Sequence, residues 1–285
     1  MRHWIIKLYK KANDKGFALG AFNFSTNEIL KGIVDAAVKL KAPIIIETSE
    51  GERNFFGLEE SVAVYHAIKK KYPHVILHAD HTKSFEEIKR IIAAGYPSVH
   101  FDGSKLSFRH NIRETKRAAE YAHAHDVFIE GELGGIVGGS TMHKKSLKDV
   151  LTKDIMTDPE QAKEFVELTG IDSLAISIGN AHGIWKDKPK LDFERLKAIA
   201  KATGKFLVLH GGSGISASDF RKAISLGINK ININTEMRVA YAHALLKGLH
   251  NREDYVPYHY LKDVSAAVSK VVEEKIIIFK AENKI

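Results

Sequence analysis

The chain has 285 residues, 43 basic and 35 acidic, for a formal charge of +8; 44% are hydrophobic and 27% charged, as in an ordinary soluble globular protein. It has no Cys, which excludes a disulfide framework and thiolate chemistry and suits a cytoplasmic protein. The lysines are spread along helix-like segments without an Arg–aromatic cluster, so no nucleic-acid partner is expected; no apolar run nears the roughly 18 residues of a membrane span, and the opening MRHWIIKLYKKANDKG reads as no signal peptide.

Strands and helices alternate. Residues 18–23 read as a strand. Residues 28–40 read as a helix, with Ile29, Ile33, Ala36, Ala37 and Leu40 at helical spacing. A near-continuous apolar strand follows at 43–48, then a helix at 58–70. The third strand is 75–79 with its helix at 85–94, and the fourth is 98–101 with its helix at 111–125. The fifth strand, 127–131, leads into an irregular stretch rich in Gly, Ser and Lys, 133–157. A helix opens at Asp158–Pro159, where Asp caps and Pro takes the first helical position. Strand six is 174–178 with a helix at 193–203, strand seven 206–209 with a helix at 217–226, and strand eight 231–234. The tail, 251–285, reads as an added C-terminal helix, apolar at helical spacing over 264–279.

Eight strand–helix units with apolar strands imply parallel pairing buried on both faces. The expected fold is α/β, a single (β/α)8 TIM barrel over residues 1–285 with an added C-terminal helix. An open doubly wound sheet shares the same alternation. No linker, internal repeat or low-complexity segment interrupts the pattern.

In such a barrel the active site lies at the C-terminal ends of the strands. The polar residues collect there. Strand 1 ends in Asn23, strand 2 in Glu47–Thr48–Ser49, strand 3 in His78–Ala79–Asp80–His81, and strand 4 in His100–Phe101–Asp102. Glu130–Gly131–Glu132 follows strand 5, and Gly179–Asn180–Ala181–His182–Gly183 follows strand 6. Strand 7 ends in His210 and strand 8 in Asn232–Ile233–Asn234–Thr235.

His81, His182 and His210 end three different strands. Three protein ligands with an open position form the pattern of a catalytic zinc site. A histidine in such a place also serves as a plain hydrogen-bonding residue, and the chain has 15. Asp80 precedes His81, and neighbouring residues of a strand point to different sides, which leaves its carboxylate for proton transfer. Orienting a metal-bound histidine is the other role open to it. Asp102 and Glu132 suit a second or alternative metal position, or a structural role. Glycines in 211–214, the Asn234–Thr235 helix start and Ser49–Glu50–Gly51 are the candidate phosphate cradles.

Taken together, GAFNFSTNE (20–28), SEG (49–51), HADH (78–81), EGELGG (130–135), NAHG with Trp185–Lys186 behind it, VLHGGSG (208–214) and KININTE (230–236) fall in order across most of the chain. With them the sequence resembles the class II, metal-dependent ketose-bisphosphate aldolases that act on fructose 1,6-bisphosphate and tagatose 1,6-bisphosphate. The resemblance implies one catalytic Zn2+ held by His81, His182 and His210, with Glu132 and Asp102 at alternative metal positions. It implies that Asp80 exchanges a proton with the hydroxyl that becomes the aldehyde oxygen. Gly183, Lys186, Gly211, Ser213, Asn234 and Thr235 would grip the phosphate of the dihydroxyacetone phosphate half, with Ser49 helping. Asn232 and Asn23 would contact the substrate. It further implies a homodimer or homotetramer working on a sugar phosphate.

The chemistry agrees with that resemblance. Breaking the C3–C4 bond leaves a carbanion beside a carbonyl, which a chelated metal stabilises as a Lewis acid. The alternative needs a Schiff-base lysine inside the barrel, and strands 5 to 7 (127–130, 174–178, 206–209) carry none. Two features depart from the family. The stretch 136–146, IVGGSTMHKKS, lacks the acidic residue usual in the mobile loop, so His143 is the candidate loop base. Tyr258 stands where an arginine usually meets the far phosphate, leaving Arg53 or a partner subunit as the expected compensation. Three other readings follow from these departures: an aldolase with a different aldehyde half, a phosphate-binding barrel isomerase or epimerase, and a non-catalytic phosphate-ligand-binding protein.

Overall fold

Apolar runs of four to eight residues build eight strands: β1 (Leu19–Asn23), β2 (Ile44–Thr48), β3 (Val75–Thr82), β4 (Ser98–Phe101), β5 (Phe128–Leu133), β6 (Ser173–Ile176), β7 (Phe206–Leu209) and β8 (Ile228–Ile233). In the computed structural model, which describes residues 1–152, 155–250, 253 and 255–285, they form a closed parallel barrel in chain order. Pairing of β8 with β1, Leu19 opposite Lys230, closes it and rules out the open sheet. Nearly every strand residue is buried, which explains why these runs show no alternation of polar and apolar residues.

Helices α2 (Asn27–Leu40), α4 (Leu58–Lys71), α5 (Phe85–Ala94), α6 (Phe108–Ala124), α7 (Pro159–Thr169), α8 (Phe193–Thr203) and α9 (Ala217–Ser225) form the outer ring. Side chains cap several of them: Thr26 for α2, Ser84 for α5, Asp158 for α7, Asp192 for α8 and Ser216 for α9.

Among the described residues four further α-helices remain, beside a 3-10 turn at Leu147–Asp149. Two of them, α1 (Arg2–Lys15) and α3 (Glu50–Phe56), escape the sequence pattern. The first looks too polar, yet Ile5, Tyr9 and Ala12 make one buried stripe. The Tyr9 ring lies 4.9 Å from Phe128 and 5.3 Å from Phe206, closing the N-terminal mouth of the barrel. The second is nucleated by a capping box between Ser49 and Glu52. The C-terminal portion contains α10 (Thr235–Leu249) and α11 (Pro257–Ile278). Gly32 lets α2 and α11 meet, since a Cβ there would stand 2.6 Å from the Ser265 carbonyl oxygen. Asn251, where the tail reading begins, lies outside the described residues, as do 153 and 154 in the irregular stretch. No helix among the described residues is long and apolar enough to cross a membrane.

Of the strand boundaries that differ from the sequence reading, three bear on function. β3 runs on to Thr82, so His81 is a strand residue. β5 runs on to Leu133 and includes Glu132. β8 starts at Ile228 and so takes in Lys230. The barrel therefore does contain a lysine, fully buried, with Nζ 2.9 Å from Glu130 and 3.5 Å from Glu47. Burial opposes its charge, but Glu130, Glu47 and Asp80 outweigh that and raise its pKa. A Schiff-base lysine needs the opposite shift, so Lys230 serves as a structural counter-ion.

At the base of the barrel, Asp172 ties three elements together. It accepts from Arg2 Nη2 at 2.7 Å, His123 Nε2 at 3.2 Å and the Ile129 N–H at 3.0 Å. Burial would raise its pKa, but these donors hold it below the ordinary value. Its stabilisation is therefore complete above the unfolded pKa of about 3.9 and is lost as pH falls through the lower folded value. Asp172→Asn should cost about 2–3 kcal/mol at neutral pH, with the difference from the parent shrinking below about pH 4. Denaturant unfolding across pH checks this; equal midpoints at pH 7 would contradict it.

Candidate active site

The C-terminal rim encloses a cavity of about 240 Å³ lined by side chains from both ends of the chain. It brings together Asn23, Ser49, Asp80, His81, His182, Gly183, His210, Gly211, Ser213, Asn232, Asn234 and Thr235. Of the sequence-derived candidates, Asp102 and Glu132 stand behind this wall, against His81. Lys186 is exposed outside it, and His143 sits on the overlying loop.

Asp80 and His81 face the same cavity, contrary to the alternation expected of a strand. The reason is local. His81 adopts φ 46°, and the β3–β4 register shifts between Ala79 and Thr82. A left-handed backbone at a non-glycine residue is strained. Here the His81 N–H donates to His100 Nδ1 at 3.2 Å, which secures the bend.

The three predicted histidines converge. Ring centroids are 4.8 Å apart for His81–His210, 5.1 Å for His81–His182 and 6.2 Å for His182–His210. Each of two rings has one nitrogen tied back to a carboxylate. His81 Nδ1 lies 2.9 Å from Asp102, and His210 Nε2 lies 2.7 Å from Glu130. That leaves His81 Nε2, buried and without a partner, and His210 Nδ1, which receives an Asn232 N–H at 3.3 Å. A carboxylate-held imidazole with its other nitrogen free, as at His81, is the form that a metal ligand takes.

Donor atoms of Asp80, His81, His100 and His210 all lie within 4.8 Å of one another, as do those of His81, Asp102 and Glu132. His182 stands outside both groups, on the loop after β6. The donor chemistry fits a divalent, imidazole-preferring cation. Electrostatics point the same way. Burial disfavours charge on His81, yet Asp80, Asp102 and Glu132 raise its pKa to about 9. Burial and the neighbouring His81 and His210 push His182 down to about 3. The carboxylates thus hold a positive charge at this point, which a cation would take over.

Asp80 is the carboxylate best placed for proton transfer. Asn23 Nδ2 donates to its Oδ2 at 3.1 Å and Asn232 Nδ2 to its Oδ1 at 3.4 Å. Burial raises its pKa, but His81, His100, His210 and Lys230 prevail and hold it well below the ordinary range. The Asn232 Oδ1 is buried without a partner.

Glycines shape another side of the cavity. Gly211 has φ 61°, and a Cβ there would lie 2.4 Å from the Ala181 carbonyl oxygen. Gly183 has φ 91°, and its Cβ would lie 2.4 Å from the Thr141 carbonyl oxygen. Both positions need glycine because two loops cross there. The N-terminus of α10 at Asn234–Thr235 points into the same side and favours an anion. The loop after β5 pairs with the loop after β6 through Val137–Ala181 and Met142–Ile184. On it, His143 stacks on Trp185 at 4.0 Å and directs Nε2 to the Gly139 carbonyl oxygen at 2.9 Å.

Arg53, expected to compensate for Tyr258, is not where that role needs it, and several other residues take roles the sequence reading did not assign. Arg53 is buried at 1% exposure and bonds to the carbonyl oxygens of Thr48 and Asp80 and, at 3.2 Å, to Thr82 Oγ1. It braces the strand ends from beneath and does not line the cavity, so it does not compensate for Tyr258. Arg238 does line it. Glu52, His100, Glu130 and Lys230 support the rim from inside. The signal for Glu130 lies in EGELGG; Arg238 gives none, because its partners are far away in sequence.

With this geometry in place, comparison with known proteins is direct. The family model described as fructose-bisphosphate aldolase class-II matches residues 5–284. A probable fructose-bisphosphate aldolase of Bacillus subtilis (strain 168) is 38% identical over 284 residues, 98% of this chain and 97% of that protein. The crystal structure of the YdjI aldolase from Escherichia coli K12 superposes with a TM-score of 0.85 at 36% identity, covering 98% of each chain. A putative fructose-1,6-biphosphate aldolase from Coccidioides immitis gives 0.85 at 27% identity, covering 98% of this chain and 96% of that one. The chain belongs to the class II fructose-bisphosphate aldolase family.

Proposed function

We propose that the protein catalyses reversible, zinc-dependent aldol cleavage of a ketose 1,6-bisphosphate, fructose or tagatose, to dihydroxyacetone phosphate and glyceraldehyde 3-phosphate. The observation that carries this reading is the gathering of the His81, His182 and His210 rings in one cavity with Asp80, the other side of which is a glycine-built anion cradle. His81, His182 and His210 would hold the cation. Bound there, it supplies Lewis acidity toward the carbonyl and adjacent hydroxyl oxygens of the ketose.

This chain's own residues do the remaining work. Gly183, Gly211, Ser213, Asn234 and Thr235 seat the phosphate on C1 and so fix the ketone beside the three histidines. Ionised Asp80 takes the proton of the C4 hydroxyl, its orientation set by Asn23 and Asn232. As the C4–O bond becomes a carbonyl, the C3–C4 electron pair stays on C3, conjugated with the ketone. Protonation at C3 falls to the loop after β5, where His143 is the candidate donor. Asp102 fixes His81, and with Glu132 it offers an alternative seat for the cation. Membership of the family supports a homodimer or homotetramer, and the Cys-free composition supports a cytoplasmic setting.

Chelation by EDTA should abolish release of triose phosphate and Zn2+ should restore it, while borohydride with substrate should leave the enzyme active. Inactivation by borohydride would sink the metal route. Asp80→Asn should lower kcat by about 10²–10⁴-fold while zinc content stays at the parent level; a parent-like kcat would remove Asp80 from the proton transfer. Glu130→Gln should weaken zinc binding by about 10–100-fold, read by competition with a chelating dye. The double variant Glu130→Gln/Lys230→Met removes the stranded lysine charge and should show the same loss. Unchanged affinity in both would contradict the orienting role of Glu130.

A further inference from the structure

We infer that Trp185 is a positioning residue for the reaction: its indole seats the His143 ring behind the cavity wall and leaves His143 Nδ1 as the nitrogen that exchanges a proton with C3. The inference rests on the aldolase reading above and adds to it how the loop group is placed and which of its atoms works.

Trp185 stands just beyond His182 on the loop after β6. Its Nε1–H donates to the His182 carbonyl oxygen at 2.9 Å, which ties the plane of the indole to the backbone of a candidate cation ligand. The His143 ring lies flat on that plane, with centroids 4.0 Å apart and the rings 14° from parallel. Rings stacked in this way hold one another's orientation. The main chain reinforces the contact. The His143 N–H donates to the Ile184 carbonyl oxygen at 2.8 Å, and the Ile184 N–H to that of Thr141 at 2.9 Å. Ile184 thus holds His143 by its backbone and Trp185 holds it by its ring.

Glycines make room for the stack. A Cβ on Gly183 would stand 2.6 Å from His143 Cδ2, and one on Gly138 would stand 2.7 Å from Trp185 Cζ2. Both residues have positive φ, 91° and 88°. Gly183 lines the cavity, and so does Gly139. The His143 ring therefore lies behind a stretch of wall that carries no side chain.

One hydrogen bond selects the working atom. The Gly139 carbonyl oxygen, 2.9 Å from His143 Nε2, can only accept, so Nε2 carries the hydrogen. The neutral ring then keeps its lone pair on Nδ1, which has no hydrogen-bond partner among the described residues. In the direction of condensation Nδ1 takes the C3 proton and the ring becomes imidazolium; in cleavage the imidazolium returns that proton to C3. An imidazole already seated loses little freedom when the reaction needs it.

The test reads proton transfer at C3 by itself, as exchange of a hydroxymethyl hydrogen of dihydroxyacetone phosphate for deuterium by the zinc-loaded enzyme. Trp185→Leu should slow exchange by about 10–100-fold, with zinc content at the parent level and apparent KM for dihydroxyacetone phosphate within about threefold of the parent. Trp185→Phe, which keeps a face to stack on, should recover most of the rate. His143→Gln should be at least as slow as Trp185→Leu, and the double variant His143→Gln/Trp185→Leu no slower than His143→Gln, because Trp185 acts only through His143. Parent-like exchange in Trp185→Leu or His143→Gln, losses that multiply in the double variant, or a loss in Trp185→Leu that follows its zinc content would overturn the inference and leave the aldolase reading standing. No exchange by the zinc-loaded parent would overturn both.

Discussion

A charge in the dry centre of a barrel has to be neutralised where it stands. Lys230 sits among β-strands at 0% exposure, and Glu130 answers it at 2.9 Å. Stranding either partner would cost several kcal/mol. Glu130 does not stop there: its other oxygen holds His210 Nε2. One buried ion pair thus fixes the orientation of a rim imidazole, and through it the place where a cation would sit. The neighbouring Glu47 completes the balance. Burial, with the nearby Asp80, raises its pKa, while Lys230, His210 and His100 outweigh burial to lower that of Glu130. The charge of Lys230 is therefore answered chiefly by Glu130.

Where most barrels of this kind fill the interior with branched apolar side chains, this one places Glu47, His78, His100, Glu130 and Lys230 beneath the rim. The arrangement makes the rim rigid from below. His100 fixes the strained backbone of His81, Asp102 fixes its ring, and Glu52 gathers Asn23, Ser49, Asn234 and Arg238 from above. The rings of His81 and His210 are thus held by carboxylates that do not themselves face the cavity. Preorganisation of that kind is what a carbanion-forming reaction requires, because the stabilising charges must be in place before the bond breaks.

Much of this was readable in the sequence. Apolar strands alternating with amphipathic helices are enough for the barrel, because both faces of a parallel sheet must be covered. The rim histidines were readable because each stands at or just beyond the end of an apolar run, and HGGSG because three glycines so close to a histidine serve few packing needs. Other features depend on long-range contact and leave no local trace. The Arg238–Glu52 pair joins residues 186 apart, and Lys230 with Glu130 spans 100. The left-handed turn at His81 is imposed by tertiary structure on a residue with no preference for it. Helix α1 was hidden because its apolar stripe is only three residues wide in a lysine-rich segment.

The central claim is that this rim labilises the carbon beside the ketone of dihydroxyacetone phosphate. Its most direct measurement is proton NMR of dihydroxyacetone phosphate incubated in D2O with the zinc-loaded enzyme and no aldehyde. One of the two hydrogens on the hydroxymethyl carbon should be replaced by deuterium, at a rate that vanishes on removal of the metal, without formation of glyceraldehyde 3-phosphate. Retention of both hydrogens, or conversion to the aldose phosphate, would contradict the account.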